Sequence, residues 1–519
     1  MKPSIDEILA GLPPRLHDMP ARWAAERPDD DALIEGDTRW SWARFAQEIE
    51  AAAKALESLG VRPGHRVMIV IENGLAAAAL LFAASRCGAW AVPVNARQKA
   101  DEIDGIRDKC GPVRVLYTVG VSPEAKAHAA RHGAEKFAWR GAGAVEAGPL
   151  AGDDLGYEAE PVTGDPAQDT AILLYTTGTT GRSKGVMLSH RSAVYVAAGP
   201  GSPAGLTAED FSYAVLPLSH SFGLGSTFLR AVFHGSLILL EPRFSPERLL
   251  AALKAGITIC NGVPAMYARL FEYLDKTGKR IEAPALRAVT AGGAPLDPAL
   301  AARIEQAFGM GLINGYGLTE AAATVSRSAP GDAASAGRPL IGVEIRIVAS
   351  DTSAVAPGET GELWVRGPNI MRGYYRDAEA TRAALTDDGW LRTGDLGRLA
   401  EDGRIFVVDR AKEIIIHSGF NVSPVEVEEV LNAHPEIVQS AVLGVPLDGD
   451  EMVVAFVEPI EGSAITEPEL LAFARERLAS YKRPARVGLM RALPAAPTGK
   501  ILKGVLRKPA AALLTENAP

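Results

Sequence analysis

The chain has 519 residues, 47% of them hydrophobic and 23% charged, enough for two or three domains with large cores and too apolar for a disordered protein. A net charge of −9 argues against an electrostatic nucleic-acid binder but leaves room for a local anion site. Three scattered cysteines, Cys87, Cys110 and Cys260, and nine dispersed histidines suggest neither a disulfide framework nor a metal-ligand spacing.

The first residues include Asp6 and Glu7 and no apolar signal core. The stretch 74–85 is the most apolar but too short to span a bilayer. A buried helix, no integral membrane segment and cytoplasmic residence are therefore expected. The unbroken apolar run 67–71 predicts a strand buried on both faces, followed by an Ala-rich helix over 75–87 and a second strand over 89–94. The Ala/Gly-rich piece 141–152 reads as a loop. Further strands are expected at 171–175, 213–216, 236–240, 257–261 and 286–291, with helices at 246–254 and 298–308 between them. This alternation predicts an α/β fold: a large N-terminal body, 1–410, of helix-covered, largely parallel sheets.

Within that body the pattern changes at 337–408. Short alternating strands (343–348, 361–365, 405–408) separated by Gly, Pro and Asp turns predict a β-rich subdomain. Residues 411–519 read as a small α+β C-terminal domain. There Ser423, Pro424 and Glu426 give a capping-box pattern, and Val427, Val430 and Leu431 share one helix face. A strand at 453–457 precedes a helix capped by Thr466 and Glu469 and ending near Tyr481.

The sharpest local feature follows the strand at 171–175. It runs Tyr175, Thr176, Thr177, Gly178, Thr179, Thr180, Gly181, Arg182, Ser183, Lys184, Gly185. Glycines let the backbone aim several N–H groups at one point, hydroxyls add donors, and Lys184 and Arg182 add charge, so the loop suits a polyphosphate. It is not a Walker A loop, because Ser183 precedes the lysine and Gly185 follows it.

Together with several later motifs, this loop closely resembles the adenylate-forming superfamily of acyl-CoA synthetases, adenylation domains and luciferases. Those motifs are 216–223 (LPLSHSFG), 291–295 (AGGAP), 314–320 (NGYGLTE), 391–395 (LRTGD), 408–413 (VDRAKE), 417–422 (HSGFNV) and 497–501 (PTGKI), in the family's order and over nearly the whole chain. The resemblance implies ATP, Mg²⁺ and coenzyme A as cofactors and a small-molecule carboxylic acid as substrate. It makes 176–181 and Lys184 the pyrophosphate loop and sets His220 between the carboxylate pocket and the thiol tunnel. Adenine would lie against Gly293, Ala294 and Pro295 and stack on Tyr316 within Gly315–Gly317 (315–317), with Asn314 at its edge. Thr319 would donate to the α-phosphate, and Glu320 would hold Mg²⁺ through oxygen. Asp395 would accept the ribose hydroxyls, Arg410 would contact the nucleotide, Lys412 would be the hinge, Gly419 would line the pantetheine tunnel, and Lys500 would drive adenylation. Taken alone, His220, Thr319, Asp395 or Lys500 would read as a core histidine, a helix start, a turn and a solvated lysine.

The chemistry explains the residue types. A carboxylate must approach the α-phosphate of ATP, so two anions repel. A metal on Glu320, the Lys500 ammonium and loop N–H groups offset that repulsion. No protein nucleophile is needed. The small apolar wall formed by Phe222, Gly223, Ala291, Gly292 and Ala321 points to an uncharged medium-chain acyl or aryl acid, although Ile416 stands where some aryl-specific members carry lysine. A dicarboxylate would need an arginine, with Arg230 and Arg327 as candidates. Delivery to a carrier protein, amino-acid adenylation, luciferase chemistry and a silent nucleotide- or acyl-binding protein stay open, as does the oligomeric state, a homodimer included.

Overall fold

Apolar runs alternating with amphipathic segments build two large sheets that share one core in the computed structural model, which describes residues 3–139, 144–148, 158–176, 183–349, 353, 355–356, 358–410, 413–417, 420–447, 450–496 and 500–515. The first sheet orders its strands Arg338–Pro339, Ser326–Arg327, Leu312–Tyr316, Ala288–Ala291, Ile259–Gly262, Phe211–Ala214, Leu237–Leu240, Asp31–Glu35, Thr38–Ser41. Its centre is parallel. The second sheet orders Gly373–Tyr374, Lys184–Ser189, Thr170–Thr176, Trp90–Asn95, Arg66–Ile71, Arg114–Tyr117, Glu146–Ala147, Glu135–Lys136. Arg66–Ile71 is buried at every position, as its alternation-free sequence requires.

The helix Leu75–Arg86 has no polar face, so it is buried from Leu75 to Ser85. Its Phe82 ring packs edge-on against Phe45 at 5.6 Å and near Phe228 at 5.9 Å. Burying such a side chain stabilises the fold by about 2–3 kcal/mol. The contact ties this central helix to the segment that carries the Phe222 region. No helix among the described residues is long and apolar enough to cross a membrane.

The β-rich piece is an antiparallel sheet ordered Glu344–Val348, Gly361–Arg366, Leu391–Leu399, Ile405–Arg410. Beyond it, Ile437–Leu447, Asp450–Pro459 and Arg486–Leu489 form a separate sheet with its own cores, covered by the helices Pro424–Asn432, Glu467–Arg477 and Lys503–Thr515.

Three local expectations are revised. Ser423 Oγ accepts the Glu426 N–H at 3.3 Å, but the Glu426 carboxylate turns to Lys482 Nζ at 2.6 and 2.7 Å, so half of the capping box is exchanged for an ion pair. The helix capped by Thr466 and Glu469 ends at Arg477, where Leu478 turns extended, and Ser480–Lys482 is a separate 3₁₀ turn. Within 141–152, Glu146–Ala147 is a strand paired with Leu116 and Tyr117 rather than loop.

Candidate active site

The parallel strands of both large sheets end on one cleft, the position where open α/β sheets bind ligands. Thr176 and Lys184 face each other across the antiparallel pair that frames the threonine-rich loop. Thr177, Gly178, Thr179, Thr180 and Gly181 lie outside the described residues. Lys184 Nζ sits 4.6 Å from the Tyr374 ring, and the Tyr374 hydroxyl donates to Glu320 Oε1 at 2.9 Å. The base of the loop and Glu320 therefore share a wall.

Glu320 belongs to the 3₁₀ turn Thr319–Ala321, after which Ala322 and Ala323 take φ of 52° and 99°. Such left-handed alanines cost about 1–2 kcal/mol each. The turn fits only because Gly317 lacks a side chain: a Cβ there would come within 1.7 Å of the Ala323 carbonyl oxygen. Thr319 Oγ1 lies 3.3 Å from Ser221 Oγ. The turn reverses chain direction, so Ala321 is fully buried in the core, and Ala323 and Thr324 line the cleft in its place.

His220 begins the opposite wall. Its backbone N–H donates to the Pro217 carbonyl at 3.0 Å, and its Nδ1 accepts the Phe222 N–H at 3.3 Å. The chain then enters a π-helix, Phe222–Leu229, a geometry concentrated at functional sites. Gly223 is buried beneath the loop rather than facing the cleft: a Cβ would meet the Pro217 oxygen at 2.3 Å. Phe222 packs against the small-residue turn. A methyl on Gly292 would touch Phe222 Cζ at 3.3 Å and the Gly315 oxygen at 3.4 Å. Ala291, Gly293, Ala294 and Pro295 complete that wall of the cleft.

Tyr316 ends the strand Leu312–Tyr316, and its hydroxyl donates to Asp395 Oδ2 at 2.6 Å. Arg410 Nε lies 3.1 Å from Asp395 Oδ1. Burial raises the Asp395 pKa, while Arg410, Tyr316 and Lys500 pull it back. The Asn314 side chain is committed internally. Its Nδ2 donates to the Ala333 and Ser335 carbonyls at 3.1 and 3.2 Å, and its Oδ1 accepts the Gly315 N–H at 2.9 Å. It shapes the turn instead of offering a free amide edge.

Lys500 enters the same cleft from the C-terminal unit. An isolated bridge, Ala495 with Ile501, and the bond from Ala496 N–H to the Lys500 carbonyl at 2.8 Å position it. Its side chain projects into the open cleft between protein walls. Their desolvation lowers its pKa, assisted by Arg410 and opposed by Glu413 and Asp395. Desolvation and the nearby Lys500 charge lower His220 to about 4, so the imidazole is neutral near pH 7. Lys412 and Gly419 lie outside the described residues.

Three residues of this arrangement escape sequence reasoning. Tyr374 orients Glu320. Glu413, held by Lys503 at 3.2 Å, acts on Lys500; it closes the quoted motif 408–413, but nothing in the sequence gave it a role. Asn73, 2% exposed, donates to the Ala214 and Leu216 carbonyls at 3.1 and 2.9 Å and accepts the Leu218 N–H at 2.9 Å, fixing the segment before His220.

Among the described residues no group of three or more His, Cys, Asp or Glu side chains is placed to hold a metal ion. A single carboxylate fits a hard ion that completes its shell with phosphate oxygens and water, as Mg²⁺ does. Glu320, anchored through one oxygen by Tyr374, is a carboxylate that could hold such an ion.

A family model described as AMP-binding enzyme matches residues 20–375, and one described as AMP-binding enzyme C-terminal domain matches residues 426–500. The chain belongs to this family of adenylate-forming enzymes. A feruloyl-CoA synthase of Amycolatopsis sp is 35% identical over 495 residues, covering 94% of this chain and 98% of the relative. 4-Coumarate–CoA ligase 2 of Oryza sativa subsp. japonica is 35% identical over 548 aligned positions, covering 98% and 94%. The solved structure of an anthranilate CoA ligase with anthranoyl-AMP matches with a TM-score of 0.84 at 26% identity, covering 97% and 100%. The chain is a carboxylate–CoA ligase that works through an acyl-adenylate, with ATP and coenzyme A as co-substrates and Mg²⁺ as the metal ion.

Proposed function

We propose that the acid activated here is aromatic, or an arylalkyl acid of similar width, and that the adenylate and thioester steps use different faces of residues 411–519. What carries this reading is the meeting of Lys500 with Asp395, Arg410 and His220 in one cleft built by both parts of the chain. The named activities of the feruloyl and 4-coumarate relatives support an aromatic acid.

The roles follow from charge. Asp395 accepts the ribose hydroxyls and is kept ionised by Arg410 and the Tyr316 hydroxyl. Tyr316 stacks on adenine against 293–295. Thr319 donates to the α-phosphate, and Thr176 and Lys184 at the loop's base hold the outer phosphates. The metal on Glu320 supplies Lewis-acid neutralisation of phosphate charge. Lys500 adds a mobile positive charge where the pentacovalent phosphorus becomes more negative, the point at which electrostatic stabilisation is most effective. Neutral His220 closes the carboxylate pocket and stands between it and the thiol approach. The division at 410/411, the hinge at Lys412 and the tunnel lining at Gly419 belong to the same proposal. Rotation about that hinge withdraws Lys500 after adenylation and brings 417–422 to the thiol. Three free, buried cysteines agree with a reducing, cytoplasmic setting.

The test is AMP and pyrophosphate release over a panel of aryl, arylpropenoic and medium-chain acids with Mg²⁺-ATP, with and without coenzyme A. Aromatic members should support AMP formation that depends on the thiol. An enzyme that turns over only aliphatic acids defeats the aromatic assignment.

A further inference from the structure

Arg327 is 8% exposed, lines the cleft, and its Nε has no hydrogen-bond partner among the described residues. It stands on the short strand Ser326–Arg327, opposite Gly315. Its stem crosses that glycine: a Cβ at Gly315 would lie 3.7 Å from Arg327 Cγ. A guanidinium withdrawn from water without an acidic partner is costly, and proteins keep such a charge where a ligand supplies the counter-charge. Desolvation lowers the Arg327 pKa to about 10, with no carboxylate raising it, so it stays protonated at neutral pH.

A second arginine lies behind it. Arg230, 3% exposed, is on the helix that continues from Phe222, and it donates to the Ala204 carbonyl at 2.7 Å. Burial and the charges of Arg327 and Arg287 push its pKa well down. Two neighbouring buried cations thus sit beside the acyl side of the cleft. They do not belong to the nucleotide end. Asp395, Arg410, Glu413 and Lys500 act on one another there, and none acts on Arg327. The space between Arg327 and the reacting end is bounded by Phe222, Ser226, Gly292, Gly315 and Thr324, with Ser226 Oγ 2.6 Å from Thr324 Oγ1.

We infer that Arg327 is the specificity residue for a second carboxylate at the far end of the substrate, so that the acid activated is a dicarboxylic acid. This deepens the proposed function and rests on its placing of the carboxylate pocket beside Phe222. It also replaces the uncharged acid expected from the wall residues, because a wall of small apolar side chains does not reveal a cation reaching in from the next strand. The guanidinium presents two parallel N–H donors, the match for a carboxylate and poor for an ester or a methyl group.

Three acids of one shape test it: 4-carboxycinnamate, its 4-methyl ester and 4-hydroxycinnamate. Pyrophosphate release should show kcat/KM for the diacid at least about 100-fold above the ester, the discrimination expected when a buried charged donor would otherwise stay unpaired. Arg327→Met should collapse that ratio, and Arg327→Lys should restore part of it. In parallel, the diacid alone should raise the melting temperature of the wild-type protein and not that of Arg327→Met. Equal or better turnover of the ester or the phenol by the wild type overturns the inference. So does an equal loss for all three acids in Arg327→Met, which marks a structural role. If no acid releases pyrophosphate, the placing of the catalytic groups fails instead, and the melting shift still decides Arg327.

Discussion

The Tyr316 hydroxyl donates to one oxygen of Asp395 at 2.6 Å while Arg410 Nε stands 3.1 Å from the other. A carboxylate that is 3% exposed is thus prepared as a double acceptor before any diol arrives. Tyr316→Phe removes one support and keeps the ring. The Asp395 pKa, already raised by burial, should rise further. KM for ATP should increase about 10-fold, and its rise on acidification should begin at higher pH than in the wild type. A pH series of ATP saturation curves reads both.

Lys500 meets the phosphate end only from the C-terminal unit. Lys500→Ala should therefore reduce adenylate formation by about 100-fold or more while thioester formation from supplied acyl-AMP persists. Single-turnover assays of each half-reaction separate the two. Equal loss in both means the lysine serves both steps and the rotation scheme is wrong.

Glu320 has one oxygen held by Tyr374 at 2.9 Å, leaving the other for a cation. Glu320→Gln keeps shape and removes charge. The Mg²⁺ concentration for half-maximal pyrophosphate release should rise about 10-fold or more. Tyr374→Phe should give a smaller rise of the same sign, because it loosens the carboxylate without neutralising it.

Much of this was legible in the residues, for definable reasons. The run 67–71 could only be a strand buried on both sides, and 246–254 and 298–308 appear as helices with those bounds, each opened by a capping side chain and proline. The family motifs contain Lys184, His220, Tyr316, Glu320, Asp395, Arg410 and Lys500, which all line the cleft, but most of its other lining residues lie outside them. Three things were illegible. Ala321 was assigned to the pocket wall, but direction after a 3₁₀ turn depends on the left-handed pair at Ala322 and Ala323, and no alanine advertises a positive φ. Asn314 was set at the edge of adenine by resemblance, but its amide N–H groups go to the Ala333 and Ser335 carbonyls, some twenty positions on. Arg327 could be nominated but not placed, because its meaning depends on which acids are absent around it.

Asn73 illustrates a support that only the fold reveals. It reaches from the second sheet to three backbone groups before His220. Asn73→Ala strands the buried Leu216 carbonyl and Leu218 N–H, while the Ala214 carbonyl keeps the Glu241 N–H. Stability should fall by about 2–4 kcal/mol, read from urea unfolding. Among molecules still folded, kcat/KM should drop more than KM changes, since the His220 segment loses its anchor. Asn73→Asp keeps the acceptor and loses both donors, and should lie on the same side of wild type.

His190 supplies a pH test independent of the active site. The ring is 2% exposed, and its Nδ1 accepts the Leu16 N–H at 3.2 Å. Burial, aided by the charges of Arg15 and His17, lowers its pKa from 6.5 to about 3. The folded protein therefore holds His190 neutral while the unfolded chain binds a proton below pH 6.5. The stabilisation is full above that value and is lost as pH falls toward 3, at up to about 1.4 kcal/mol per pH unit. His190→Gln cannot titrate. It should be less stable than wild type at pH 7.5, because its amide replaces a well-fitted ring. Between pH 6.5 and 4.5 its urea midpoint should fall less steeply than that of wild type. Parallel acid limbs in the two proteins would mean that the ring is already protonated in the folded state and that the Leu16 contact is not an acceptor bond.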